Sequence, residues 1–303
     1  MTDIKIKNLT KDYHYDRGVF NIDFEIKKGE TFGFLGTNGS GKTTTIRHIM
    51  GFLKPQKGNV EIRTLDAYKS STETKKYIGY IPGEIAFPDL PSGKSFIKSQ
   101  AEFLKLENLD YANQLIKILQ IDLRANTRKM SKGMKQKTAV IAALMNDSDI
   151  LILDEPTTGL DPLMRKTFLE ILETEKQKGK TILISSHMFE ELEDLCDRVA
   201  LIKDGKIIDI ATMSEIKDPK TREYKLEFLN QQDYENFLKE PIEITRIKEK
   251  YHQVFIKIKK EETHKLLEIL SKYQLKFMAE IKYNLEKYFQ KKFKEESEAN
   301  IND

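Results

Sequence analysis

The chain is poor in cysteine, in net charge and in long hydrophobic runs. Cys196 is the single cysteine among 303 residues, so no intramolecular disulfide can form. That excludes a disulfide scaffold and fits a reducing compartment. Cys196 itself reads as a small apolar residue beneath a helix. The 51 basic and 48 acidic residues leave a formal charge of only +3. Such a balance provides no general positive field, and no nucleic-acid partner is expected. The longest apolar run is residues 139–145, whereas a helix crossing a bilayer needs roughly twenty apolar residues. At the start, Ile4, Ile6 and Leu9 are interleaved with polar residues, unlike the apolar block of a secretory signal. The chain is therefore expected in the cytosol, acting on a membrane only through a partner.

What is present is enough for one well-buried core and a smaller second unit. The charged share of 33% exceeds the roughly 25% of ordinary soluble domains, but 39% hydrophobic residues argue against disorder. From about residue 30 to 205, short apolar stretches alternate with helical periodicity, the pattern of an α/β sheet with covering helices. Residues 2–8 and 19–27 read as strands, and residues 31–35 as a buried strand entering a glycine loop. A helix is expected over 42–52, with Ile46, Ile49 and Met50 on one face. Residues 92–146 read as an inserted helical subdomain, since Phe96, Phe103, Leu104, Leu115, Ile118 and Leu119 recur at helical spacing. Residues 150–153 are all apolar, as in a strand buried on both faces. A helix over 162–177, a strand over 181–185 and a hairpin turning at Asp204-Gly205 complete the first domain, residues 1–217. After a break near 217–222, residues 223–294 read as a small α+β accessory domain of two or three strands and two helices. The polar stretch 295–303 reads as a disordered tail.

Three short segments carry chemistry. Gly36-Thr37-Asn38-Gly39-Ser40-Gly41-Lys42-Thr43 matches the phosphate-loop pattern in full, between an apolar strand and a helix. Its glycines let backbone N–H groups surround phosphate oxygens, and the following helix directs its positive end at the same anion. Lys42 carries charge to the terminal phosphates, and the Thr43 hydroxyl is a Mg²⁺ ligand. Asp154-Glu155 ends the buried strand 150–153, at the carboxyl edge where such sheets bind ligands. Asp154 can hold Mg²⁺ through water, and Glu155 can polarise the attacking water as a general base. In Met130-Ser131-Lys132-Gly133-Met134-Lys135, Ser131 can cap a helix and Gly133 permits close approach of backbone to phosphate. Lysines in that first turn oppose the helix dipole, which favours an anion site over an ordinary cap.

With these segments in this order, the sequence resembles the ATP-binding subunits of ABC transporters. Ser131 and Gly133 fit the family's Leu-Ser-Gly-Gly-Gln signature, while Lys132 and Met134 depart from it in the manner of the drug and antibiotic exporter branch. The resemblance implies a P-loop ABC ATPase cassette with a RecA-like core, an antiparallel β subdomain and a helical subdomain. It implies ATP and Mg²⁺ as cofactors, with nucleotide contacts from residues 36–43, Thr44, Ser131, Gly133 and Asp161. Tyr13 matches the residue that stacks on adenine, with Tyr15 close by, and His187 in Ser185-Ser186-His187 matches the switch histidine. The catalytic set is then Lys42, Glu155 and His187, and the metal set Thr43 and Asp154. Where relatives carry a glutamine after the strand 78–82, this chain has Gly83-Glu84. The resemblance further implies two cassettes sandwiching two ATP molecules, as a homodimer or with a similar chain. It implies a separate transmembrane permease and a position on the inner face of the cell membrane. The function it implies is export of drugs, antibiotics, or antimicrobial or toxic peptides. A soluble ABC ATPase with a regulatory, non-transport role is the alternative.

Overall fold

The computed structural model describes residues 1–15, 17–217 and 220–299. The chain forms two compact units: Met1–Thr212, with the described residues from Glu295 onward, and Met213–Lys294.

The first unit opens with β1 (Thr2–Asp12) and β2 (Gly18–Lys27), then β3 (Thr31–Leu35) and α1 (Lys42–Ile49). β4 (Lys57–Ile62), β5 (Leu65–Asp66), the short α2 (Ser71–Thr74) and β6 (Ile78–Ile81) follow. Three helices come next: α3 (Gly93–Leu104), α4 (Asp110–Ile118) and α5 (Lys132–Leu144). The chain then alternates through β7 (Ile150–Asp154), α6 (Pro162–Gln177), β8 (Thr181–Ser186) and α7 (Phe189–Leu195), ending in β9 (Arg198–Lys203) and β10 (Lys206–Thr212).

The main sheet has the order β10-β9-β3-β8-β7-β6. β6, β7, β8, β3 and β9 run parallel, and β10 returns antiparallel to β9. Every residue of β3, β7 and β8 is buried, as in a parallel sheet covered on both faces. A second, antiparallel sheet has the order β2-β1-β4-β5. Phe24 of that sheet stacks on Phe32 of β3 at 5.2 Å, one of the contacts joining the two sheets into one core. Burying such a side chain fully contributes about 1.5–3 kcal/mol.

Two details differ from expectation. α1 stops at Ile49 and does not reach Phe52, because Gly51 turns left-handed at φ +66 against the Ala67 carbonyl. In the helical insertion, Phe96, Leu115 and Leu119 are buried, but Phe103 is 81% exposed and Ile118 46% exposed. The buried stripe of α3 is Phe96, Ile97 and Ala101, and Phe103 lies in the helix's last turn.

The second unit starts with α8 (Met213–Lys217), whose Met213 and Ile216 are buried, so the division falls ahead of residue 217. It continues through β11 (Thr221–Phe228), α9 (Gln231–Phe237), β12 (Glu243–Lys248), β13 (Gln253–Lys259), α10 (Thr263–Leu270) and β14 (Leu275–Ile281). This βαββαβ order closes an antiparallel sheet, β12-β13-β11-β14, around a core of Leu226, Phe228, Phe237, Val254, Ile256 and Leu266. There are thus four strands where two or three were expected. β12 is a largely exposed edge strand broken by a bulge, and β14 alternates only weakly in burial. The last helix, α11 (Leu285–Ala299), runs into the stretch read as a tail, and residues 300–303 lie outside the described residues.

Candidate functional site

The phosphate loop leaves β3 at Leu35 and enters α1 at Lys42. Gly36 passes so close to the Ile202 carbonyl that a Cβ there would sit 2.5 Å from it. Gly39 and Gly41 take positive φ, +82 and +110, which turn the backbone around a central hollow. Lys42 folds back into that hollow. Its ammonium donates to the carbonyls of Gly36 at 2.7 Å and Thr37 at 3.2 Å. It also lies 3.2 Å from Glu155 Oε1, with its side chain only 6% exposed.

The parallel pairing of β7 with β8 sets Asp154 beside Ser185. The Ser185 hydroxyl donates to Asp154 Oδ1 at 2.6 Å and accepts from the Glu155 N–H at 3.0 Å. Glu155 takes a left-handed φ of +48, unusual for a side-chain-bearing residue, and this turns its carboxylate out of the strand. Glu155 Oε2 then meets His187 Nδ1 at 2.7 Å. Lysine, glutamate and histidine therefore form one continuous chain of contacts. Asp154 is completely buried, and its Oδ2 has no hydrogen-bond partner among the described residues. Gly83 borders that oxygen; a Cβ there would lie 3.1 Å away. Burial and the neighbouring Asp154 carboxylate push the Tyr80 phenol up to about 12.

A cleft of about 520 Å³ opens over the loop. Tyr13, Asn38, Gly39, Gly41, Lys42, Thr43, Thr44 and Glu155 line it, and Tyr15 does not. The Tyr13 ring is 46% exposed with the Lys11 ammonium 5.5 Å from its centroid, so one aromatic face stands open at the rim. Arg17, Asp204 and Gly205 also line the cleft. Sequence reasoning missed these three and Gly18, which lines the cleft too, although the Asp204-Gly205 turn was legible as a hairpin. Its approach to the loop is tertiary: Gly205 N–H donates to the Ser40 carbonyl at 2.9 Å.

Ser131, Gly133 and Asp161 do not line this cleft. Ser131 caps α5, its hydroxyl accepting from the Met134 N–H at 3.2 Å. Asp161 caps α6 by accepting from the Met164 N–H at 3.0 Å. Gly133 packs on the Gly159 carbonyl, which a Cβ would approach to 3.0 Å, so the two capped segments touch within one chain. From α5, the buried Gln136 amide donates to the Pro156 carbonyl just beyond Glu155. Gly83 and Glu84 border a separate cleft of about 350 Å³ shared with Lys132, Lys135 and Gln136. Glu84 is exposed there.

Among the described residues, no helix is long and apolar enough to cross a membrane. The family profile described as ABC transporter matches residues 19–158. The chain is 31% identical over 284 residues to the uncharacterized ABC transporter ATP-binding protein YhcH of Bacillus subtilis (strain 168), covering 91% of this chain and 90% of that one. It is 35% identical over 230 residues to the bacitracin transport ATP-binding protein BcrA of Bacillus licheniformis, covering 75% and 74% respectively. Among solved structures, that of an ATP-binding subunit of an ABC transporter superposes with a TM-score of 0.65 at 27% identity, covering 71% of this chain and 91% of the other.

Proposed function

The chain belongs to the ABC transporter family, and from that premise we propose that it powers a separate membrane permease that exports drugs, antibiotics or toxic peptides. It is an ATP-binding and ATP-hydrolysing cassette. The export reading draws on relatives described as serving bacitracin transport and linearmycin resistance. Its place is then the inner face of the membrane, held there by the permease.

The observation that carries the mechanism is the chain of contacts Lys42–Glu155–His187 beyond the carboxyl ends of β3, β7 and β8, of which Lys42 and Glu155 line the cleft. ATP enters with its triphosphate over residues 36–43. The helix N-terminus and Lys42 meet the terminal phosphates, and Tyr13 stacks on the base. The Lys42 ammonium leaves the carbonyls of Gly36 and Thr37 for phosphate oxygens, which releases Glu155 Oε1. Glu155 accepts a proton from the attacking water, with His187 fixing the carboxylate through Nδ1. For Mg²⁺, the residues fit: Asp154 Oδ2 is a buried, unpartnered carboxylate oxygen, and Thr43 is exposed at the head of α1 in the cleft. Bound there, the ion would neutralise charge on the phosphates.

One chain contributes the loop and Glu155 to this cleft but not Ser131, Gly133 or Asp161. We assign these three to the nucleotide held by a second cassette, so the working form is an ATP-dependent dimer, of this chain alone or with a similar one. Turnover tests the base. Glu155→Gln should bind ATP normally and hydrolyse it at least about 100-fold more slowly. Hydrolysis at the parent rate would remove Glu155 from the role.

A further inference from the structure

Directly beneath the Glu155–His187 contact lies a second carboxylate that does not line the cleft. Glu191, on α7, is 2% exposed. Its Oε2 accepts two hydrogen bonds at once, from the Thr157 hydroxyl at 3.0 Å and the Ser186 hydroxyl at 2.8 Å. Its Oε1 faces the Arg165 guanidinium of α6, with Nε 3.3 Å away. Thr157 stands two residues after Glu155, and Ser186 immediately precedes His187. The Ser186 hydroxyl also accepts from the Met188 N–H at 3.0 Å, so it grips the backbone on both sides of His187. One oxygen atom therefore ties the loop that carries the base to the loop that carries the histidine.

A buried anion is costly unless it is paired, and Glu191 has the Arg165 charge opposite one oxygen and two hydroxyl hydrogen bonds on the other. Thr157 is itself 3% exposed, and Ser186 is fully buried. A polar network of this kind holds its members in one relative position better than apolar packing would. The 2.7 Å contact between Glu155 and His187 spans the same two loops on the cleft side.

We infer that Glu191 is a positioning residue for hydrolysis, fixing the Glu155–His187 pair by holding Thr157 and Ser186 on one carboxylate oxygen. The inference rests on the assignment of Glu155 and His187 given above. Only a carboxylate accepts both hydroxyls while presenting a second oxygen to Arg165. In Glu191→Gln, an amide oxygen that keeps the two hydroxyls leaves its NH₂ facing the guanidinium, donor against donor.

The experiment is steady-state ATP hydrolysis by the purified full chain and by Glu191→Gln, Thr157→Val, Thr157→Ser, His187→Ala and the double variant Glu191→Gln/His187→Ala. Glu191→Gln should lower kcat roughly 10- to 100-fold with KM for ATP unchanged, the signature of lost orientation. Thr157→Val should lower kcat in the same direction, and Thr157→Ser, which keeps the hydroxyl, should restore it. The double variant should be no slower than His187→Ala, since a pair already broken cannot be misaligned again. If His187→Ala is slow but Glu191→Gln and Thr157→Val both turn over within about twofold of the parent, the inference fails and the catalytic assignment stands. If the two effects multiply in the double variant, Glu191 acts elsewhere and the inference also fails. Parent-rate turnover by His187→Ala would instead overturn the catalytic assignment. Should Glu191→Gln not fold, the Thr157 pair decides alone.

Discussion

Ser185→Ala is the most informative single change outside the groups that touch nucleotide. Ser185 and Asp154 are both completely buried. The hydroxyl makes two bonds, one to Asp154 Oδ1 at 2.6 Å and one from the Glu155 N–H at 3.0 Å. A bond to a charged group contributes about 1.5–3 kcal/mol and a neutral one about 0.5–1.5 kcal/mol. The Glu155 N–H keeps a second acceptor, the Ser185 carbonyl at 3.2 Å, so its loss is the smaller of the two. Asp154 has no such reserve, because its other oxygen already lacks a partner. The expected cost is about 2–4 kcal/mol, mostly from a buried carboxylate left bare. For a unit of this size each kcal/mol lowers Tm by roughly 2–4 °C, so the transition should fall by about 4–16 °C. Thermal unfolding followed by circular dichroism, without nucleotide, measures it. A Tm within about 2 °C of the parent would show that the hydroxyl does not support Asp154, and would refute the reasoning.

Two further predictions concern charge. Lys42→Ala should weaken ATP binding roughly 10- to 100-fold by removing the ammonium in the loop, and titration with a fluorescent ATP analogue checks this; unchanged affinity would contradict the assignment. Glu175 on α6 is fully buried; burial works against its charge, but bonds from Lys178, Lys180 and Tyr111 outweigh that and hold its carboxyl below the ordinary value. Its folded pKa is thus depressed, so its contribution to stability is complete above the unfolded value of about 4.3 and is lost as pH falls through the folded one. Urea unfolding from pH 7 down to pH 3 should show a steeper acid loss in the parent than in Glu175→Gln, and equal slopes would refute the linkage.

The parts of the site that sequence reasoning could find are those written in consecutive residues. The loop 36–43 and the acids 154–155 are legible because each is a strand end with its chemistry attached. The all-apolar run 150–153 could only be a strand buried on both faces, which predicts the parallel sheet. What escaped notice depends on contacts between distant segments. Asp204 and Gly205 reach the cleft because the β9–β10 turn packs against the phosphate loop, and Arg17 reaches it from the β1–β2 connection. Gln136 reaches the Pro156 carbonyl, and Glu191 reaches Thr157, across 20 and 34 residues of sequence. In the second unit, β12 escaped because an edge strand faces water and carries a bulge that interrupts its alternation. Phe103 keeps helical spacing yet is exposed, because periodicity reports which residues share a stripe and cannot say where the covering surface ends.

The claim that two copies of this surface bind one nucleotide is tested most directly by sedimentation velocity on Glu155→Gln with and without ATP, beside Glu155→Gln/Ser131→Arg. The account predicts a monomer without ATP, a dimer with it, and a monomer that still binds ATP when Ser131 is replaced. A dimer indifferent to Ser131 would contradict it, as would a Glu155→Gln chain that stays monomeric at saturating ATP both alone and mixed with a similar cassette.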